Sequence, residues 1–121
     1  MMNAMRTLHP IEKKASVLVG QQEFTRRRLQ RALKDRERYR YVEPEVHVTD
    51  AGYLVTSPCC SRNIDPEGGV IDIARIEQLG SSWLLYSRDH QLDMWLLHDE
   101  YKDLDALLAV LCKDSERVFW P

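Results

Sequence analysis

Connection length constrains the fold of this chain more than any other feature. Three β-like runs, Val70 to Glu77, Trp83 to Arg88 and Met94 to His98, are separated only by Leu79-Gly80-Ser81-Ser82 and Asp89-His90-Gln91-Leu92-Asp93. A parallel crossover needs about a dozen residues, so strands joined this closely are antiparallel neighbours. Two shorter runs precede them. Val46 and Val48 alternate with His47 and Thr49, and Asp50-Ala51-Gly52 makes a tight connection to Tyr53 through Thr56. Ser57 to Gly69, with two prolines, two glycines and an Asn, reads as a long loop.

Helical periodicity flanks this region on both sides. Pro10 suits a first helical position, and Ile11, Ala15, Leu18 and Val19 share one face. Gly20 reads as a stop or a soft joint, which leaves one kinked helix or two. From Gln21 to about Arg38, Leu29, Ala32 and Leu33 supply a narrow apolar stripe. At the other end Asp103 is placed to cap a helix whose Leu104, Leu107, Leu108 and Leu111 fall at i, i+3, i+4, i+7. Phe119-Trp120 should be docked, because leaving both rings in water forfeits several kcal/mol of burial. The order predicts an α+β fold: an antiparallel β-meander of about five strands, with an N-terminal helix or helices and a C-terminal helix packed on one face.

With 121 residues the expectation is a single domain, 1–121, able to bury a core without staples. Its charge is segregated. Residues 1–40 hold eleven Lys/Arg against four Asp/Glu, and residues 41–121 hold six against fifteen. A basic helical arm is therefore joined to an acidic body of meander and C-terminal helix in a chain whose total is −2. That near-neutral total argues against a nucleic-acid packaging protein. No apolar run approaches the roughly 20 residues needed to span a bilayer, so no membrane partner is expected. Three cysteines and no apolar leader in Met1–Pro10 point to a reducing cytoplasm.

Several residues of the second half also carry a family resemblance. Ile73-Ala74-Arg75, then Trp83-Leu84-Leu85-Tyr86-Ser87-Arg88-Asp89, Trp95, Leu104 through Leu111, Asp114 and Phe119-Trp120 resemble a small bacterial family, domain of unknown function 3024. The resemblance covers roughly residues 70–121. It implies the meander-plus-helix architecture and brings no known activity, substrate or catalytic residue.

Function is then a matter of surfaces. At 100° per residue Arg27, Arg31, Lys34 and Arg38 lie within a narrow arc, a cationic rail about 16 Å long. Against phosphate it would bind without regard to sequence and weaken with salt. Against a carboxylate-rich protein it would give steering and bidentate Arg pairs. As a plain solvated helix face it would do neither, and Glu23, Asp35 and Glu37 dilute its field. Arg36 and Arg40 could assist on nucleic acid. Cys59 and Cys60 could be reactive beside Arg62, or pair with Cys112 and one of His47, His90 or His98 around a metal. Adjacent cysteines nevertheless lack the usual zinc spacer, and the bland alternative is small, part-buried loop residues.

Arg88-Asp89-His90 sits where a strand becomes a turn, a place Asp occupies for its own backbone bonding. Trp83, Tyr86 and Trp95 could stack single-stranded bases, but alternation and size favour Trp83 and Trp95 as core. No complete catalytic or cofactor motif is present, so the expectation leans away from an enzyme and names no cofactor. The leading expectation is a protein-interaction module, binding an acidic protein surface or self-associating through Arg27, Arg31, Lys34 and Arg38. Nucleic-acid binding through the same helix is the alternative.

Overall fold

The computed structural model describes residues 10–37, 42–59, 64 and 67–120. Helix α1 (Pro10–Leu33) is followed by strands β1 (Glu45–Val48), β2 (Gly52–Pro58), β3 (Val70–Leu79), β4 (Ser82–Asp89) and β5 (Met94–Tyr101), then helix α2 (Leu104–Lys113). The strands form one antiparallel sheet in the order β1-β2-β3-β4-β5, the meander that the short connections require. Gly20 does not interrupt α1, which is a single helix, and it ends at Leu33 rather than near Arg38.

Both helices lie on the same face of the sheet. Tyr53 and Val55 of β2, Ile73, Ala74 and Ile76 of β3 and Leu85 of β4 meet Leu104, Leu107, Leu108 and Leu111 of α2 and Leu29 and Leu33 of α1 in one buried cluster. Each buried Leu or Ile contributes roughly 1.5–3 kcal/mol relative to exposure. Asp103 caps α2 as its position suggests, its carboxylate accepting from the Ala106 N–H at 2.8 Å. Gly52 is required for space. A Cβ there would lie 2.1 Å from the Ile76 carbonyl oxygen on the neighbouring strand.

Beyond α2 the chain turns back through Asp114, which adopts a left-handed conformation at φ 43°. Its carboxylate accepts from the N–H groups of Val118 (2.7 Å), Phe119 (3.0 Å) and Trp120 (2.7 Å). The Trp120 indole donates to the Leu111 carbonyl at 2.8 Å. Phe119 and Trp120 are both buried, so the aromatic pair docks as burial arguments predict. Arg36 closes over this corner. Its guanidinium donates to the carbonyls of Leu33 (2.9 Å) and Val42 (2.5 Å) and lies 4.6 Å from the Trp120 ring centroid. The end of α1 is further tied to α2 by the Glu37 N–H donating to the Cys112 carbonyl at 3.0 Å.

Candidate functional site

Helix α1 sets out the predicted rail. Leu29 and Leu33 anchor one side of the helix, and Arg27, Arg31 and Lys34 stand exposed on the other. The remaining member, Arg38, lies outside the described residues. Cations earlier in the helix are neutralised locally. Glu23 accepts from Arg26 (3.0 and 2.7 Å) and from Arg27 (3.2 Å). The Arg26 hydrogen bonds, joined by Arg27 and opposed by partial desolvation, hold the Glu23 carboxyl at a pKa of about 2. Arg28 pairs with Asp105 on α2, so the basic arm and the acidic body do meet within one chain. Arg31 and Lys34 make no ion pair among the described residues and are the unneutralised part of the rail.

Arg36 does not belong to this surface. It was expected to assist binding, but it is 1 % exposed, spent on Trp120 and on backbone carbonyls. Its spacing sets it opposite Arg27 and Arg31, and just past the end of α1 a turn in which the N–H groups of Lys34, Asp35 and Arg36 donate to the carbonyls of Arg31, Ala32 and Leu33 carries it against Trp120. Arg40 lies outside the described residues.

The face of the sheet turned away from the helices is a second surface. Register places Leu54, Arg75, Tyr86 and Leu97 side by side across four strands, with Asp72, Arg88 and Trp95 in the adjoining row. Trp83 packs against the core as expected, but Trp95 does not. It pairs directly with Arg88, whose side chain points away from the core, so Trp95 lies on the uncovered face. There the Arg75 guanidinium lies 5.6 Å from the Tyr86 centroid and that of Arg88 lies 5.1 Å from the Trp95 centroid. Arg75 also pairs with Glu77, and Arg88 with Asp93 and, at 3.9 Å, with Asp72. Guanidiniums thus occupy ring faces that bases would need, and carboxylates neutralise them, so this face makes a poor nucleic-acid platform.

The thiol and turn candidates separate in space. Cys59 lies at the end of β2, Cys60 lies outside the described residues, and Cys112 sits on α2 with its thiol donating to the Ala32 carbonyl at 3.5 Å. Burial pushes the Cys112 thiol up, which lowers its thiolate fraction. Among the described residues no three His, Cys, Asp or Glu side chains are placed to hold a metal ion. Asp89 accepts from the N–H groups of Gln91 and Leu92, both at 3.0 Å, the turn role expected of it. Burial pushes the His90 imidazole down, assisted by Arg88.

Together the described residues define a two-layer α+β module, five antiparallel strands under two helices, with no described element covering the other sheet face. A family model described as domain of unknown function DUF3024 matches residues 18–121, and the chain belongs to that family. The match reaches well into α1, beyond the second half on which the sequence resemblance rested. No curated protein and no solved structure matches the chain. Among the described residues no helix is long and apolar enough to cross a membrane.

Proposed function

We propose that this protein is a non-catalytic interaction module that engages a carboxylate-rich protein surface through Arg31 and Lys34 with Arg27 beside them; Arg38, the fourth member of the sequence pattern, lies outside the described residues. The observation that carries this reading is the exposure of Arg31 and Lys34 without an ion pair among the described residues, while Arg26 and Arg27 share the Glu23 carboxylate and Arg28 pairs with Asp105. The helix is held by its apolar side, so its cationic side needs no rearrangement to meet a partner. An acidic protein suits it better than nucleic acid, because Glu23 lies on the helix, Asp35 lies just beyond its end, and two unneutralised charges give little counterion release.

A binding titration tests it. The purified chain, titrated with a labelled glutamate-rich peptide and separately with single- and double-stranded oligonucleotides across a salt series, should bind the peptide and weaken as salt rises. Arg31→Glu combined with Lys34→Glu should abolish peptide binding while leaving the circular dichroism spectrum unchanged. Peptide binding that survives the double substitution sinks the reading. Oligonucleotide binding whose log–log salt slope falls by about two in the double variant would favour nucleic acid instead.

A further inference from the structure

Clefts on this surface differ in whether their polar side chains are already engaged. In the cleft between α1 and β1, Gln30 clamps the strand: its side-chain oxygen accepts from the Val46 N–H at 2.9 Å, and its amide donates to the Pro44 carbonyl at 2.6 Å. Glu23 and Arg26 pair beside it. In a cleft on the uncovered sheet face, Arg75 is held by Glu77 and Asp72 by Arg88. Another cleft, of about 410 Å³, lies between the last turns of α2, the segment from Asp114 to Phe119 and His98 of β5. Asp114 is occupied there by three backbone N–H groups. The side chains of His98, Lys113, Ser115 and Glu116 make no hydrogen bond or ion pair among the described residues.

Strand β5 carries a bulge at His98, since Leu85 pairs with Asp99 while Tyr86 pairs with Leu97. Bulges re-aim side chains, and here the imidazole stands edge-on to Phe119 with ring centroids 5.0 Å apart. Val110, Val118 and Phe119 supply an apolar wall, and Ala109 leaves room in front of it. An apolar wall with a few unengaged polar groups, at this volume, is the make-up of a small-molecule site.

We propose that this cleft binds a free α-amino acid with an apolar side chain. The Lys113 ammonium takes its carboxylate, the Glu116 carboxylate takes its ammonium, and its side chain lies against Val110, Val118 and Phe119. Ser115 and His98 add further hydrogen-bonding groups. The ligand class follows from charge. Lys113 and Glu116 line one cleft without pairing with each other, so a molecule that carries both signs satisfies both. A simple anion would sit beside an uncompensated Glu116, and a simple cation beside an uncompensated Lys113. The cleft shares no residue with the α1 rail, so either can fail without the other.

Amide chemical-shift titration of the isotope-labelled full chain with L-leucine and L-phenylalanine tests the proposal. Saturable shifts should centre on His98, Val110 and Lys113 through Phe119. N-acetyl-L-phenylalanine lacks the ammonium and L-phenylalaninamide lacks the carboxylate, and each should bind at least about tenfold more weakly than L-phenylalanine. Lys113→Gln should weaken L-phenylalanine by a similar factor and leave L-phenylalaninamide unchanged. Glu116→Gln should weaken L-phenylalanine and leave the N-acetyl compound unchanged. Both positions are exposed, so the far-ultraviolet spectrum should stay as in wild type. Ala109→Trp, at another exposed position, should fill the cleft and abolish binding. Four results would each overturn the proposal: no saturable shift with either amino acid up to its solubility limit, shifts centred elsewhere, blocked analogues that bind as tightly as L-phenylalanine, or wild-type affinity in both charge variants.

Discussion

Asp114 shows how much one side chain can organise. Its left-handed backbone ends α2, and its two carboxylate oxygens gather three successive N–H groups of the segment that carries Phe119 and Trp120. Charge-assisted bonds of this kind are about twice as strong as neutral ones, and two of the donors are buried. Asp114→Ala strands those donors and should cost about 3 kcal/mol or more. In a urea titration followed by tryptophan fluorescence, the midpoint should fall while the slope stays unchanged. Arg36 is the companion case. It reads in the sequence as one more cation in a basic run, yet it serves as the lid on Trp120. Its helical phase, opposite Arg31, sets it apart, but no local pattern announces the ring it covers. The difference is which side of the helix meets the body.

At the scale of elements, periodicity was a reliable guide in α2 and in the strands with one apolar face, but not at the start of α1, where Val19 of the apolar pattern is 63 % exposed. All four leucines at the i, i+3, i+4, i+7 spacing in α2 are buried, and the five strands occur where alternation placed them, extended by a few residues. Strand β5 escaped this logic. Both of its faces carry large apolar side chains, with Trp95 and Leu97 on one and Met94 and Leu96 on the other, so alternation alone cannot choose between them. Pairing with Arg88 and Tyr86 makes the choice. The bulge at His98 then shifts the pattern beyond it, and no turn residue announces that shift. The Gln30 clamp was equally invisible, because a mid-helix glutamine is an ordinary helix former until a strand edge lies beside it. Gln30→Ala leaves the Val46 N–H and Pro44 carbonyl without that partner. It should cost about 1 kcal/mol and speed hydrogen exchange at the Val46 amide more than at amides of β3.

Across the whole molecule, charge segregation has one direct structural expression between the helices, the Arg28–Asp105 pair that bridges α1 and α2. Both partners are substantially exposed, so the pair contributes under about 1 kcal/mol. Arg28→Ala should therefore lower unfolding stability by no more than that in dilute buffer, with the difference from wild type shrinking as salt is added. Attachment of α1 rests on Leu29 and Leu33 and on the Gln30 clamp rather than on electrostatic attraction to the acidic body. That is why the outer cations of the helix remain in solvent.

The amino-acid sequence alone determined the order and kind of the elements, the antiparallel pairing and the docking of the final aromatics, because connection length, hydrophobic period and the cost of wet aromatic rings act along the chain. Tertiary structure decided which faces those elements turn inward. It buried Arg36, left Trp95 half-buried on the sheet face away from the helices, tied β1 to Gln30 and, among the described residues, left the outer side of β5 without a partner strand. Each outcome depends on which residues from distant segments come to lie side by side, and that is fixed by packing and register rather than by any local pattern.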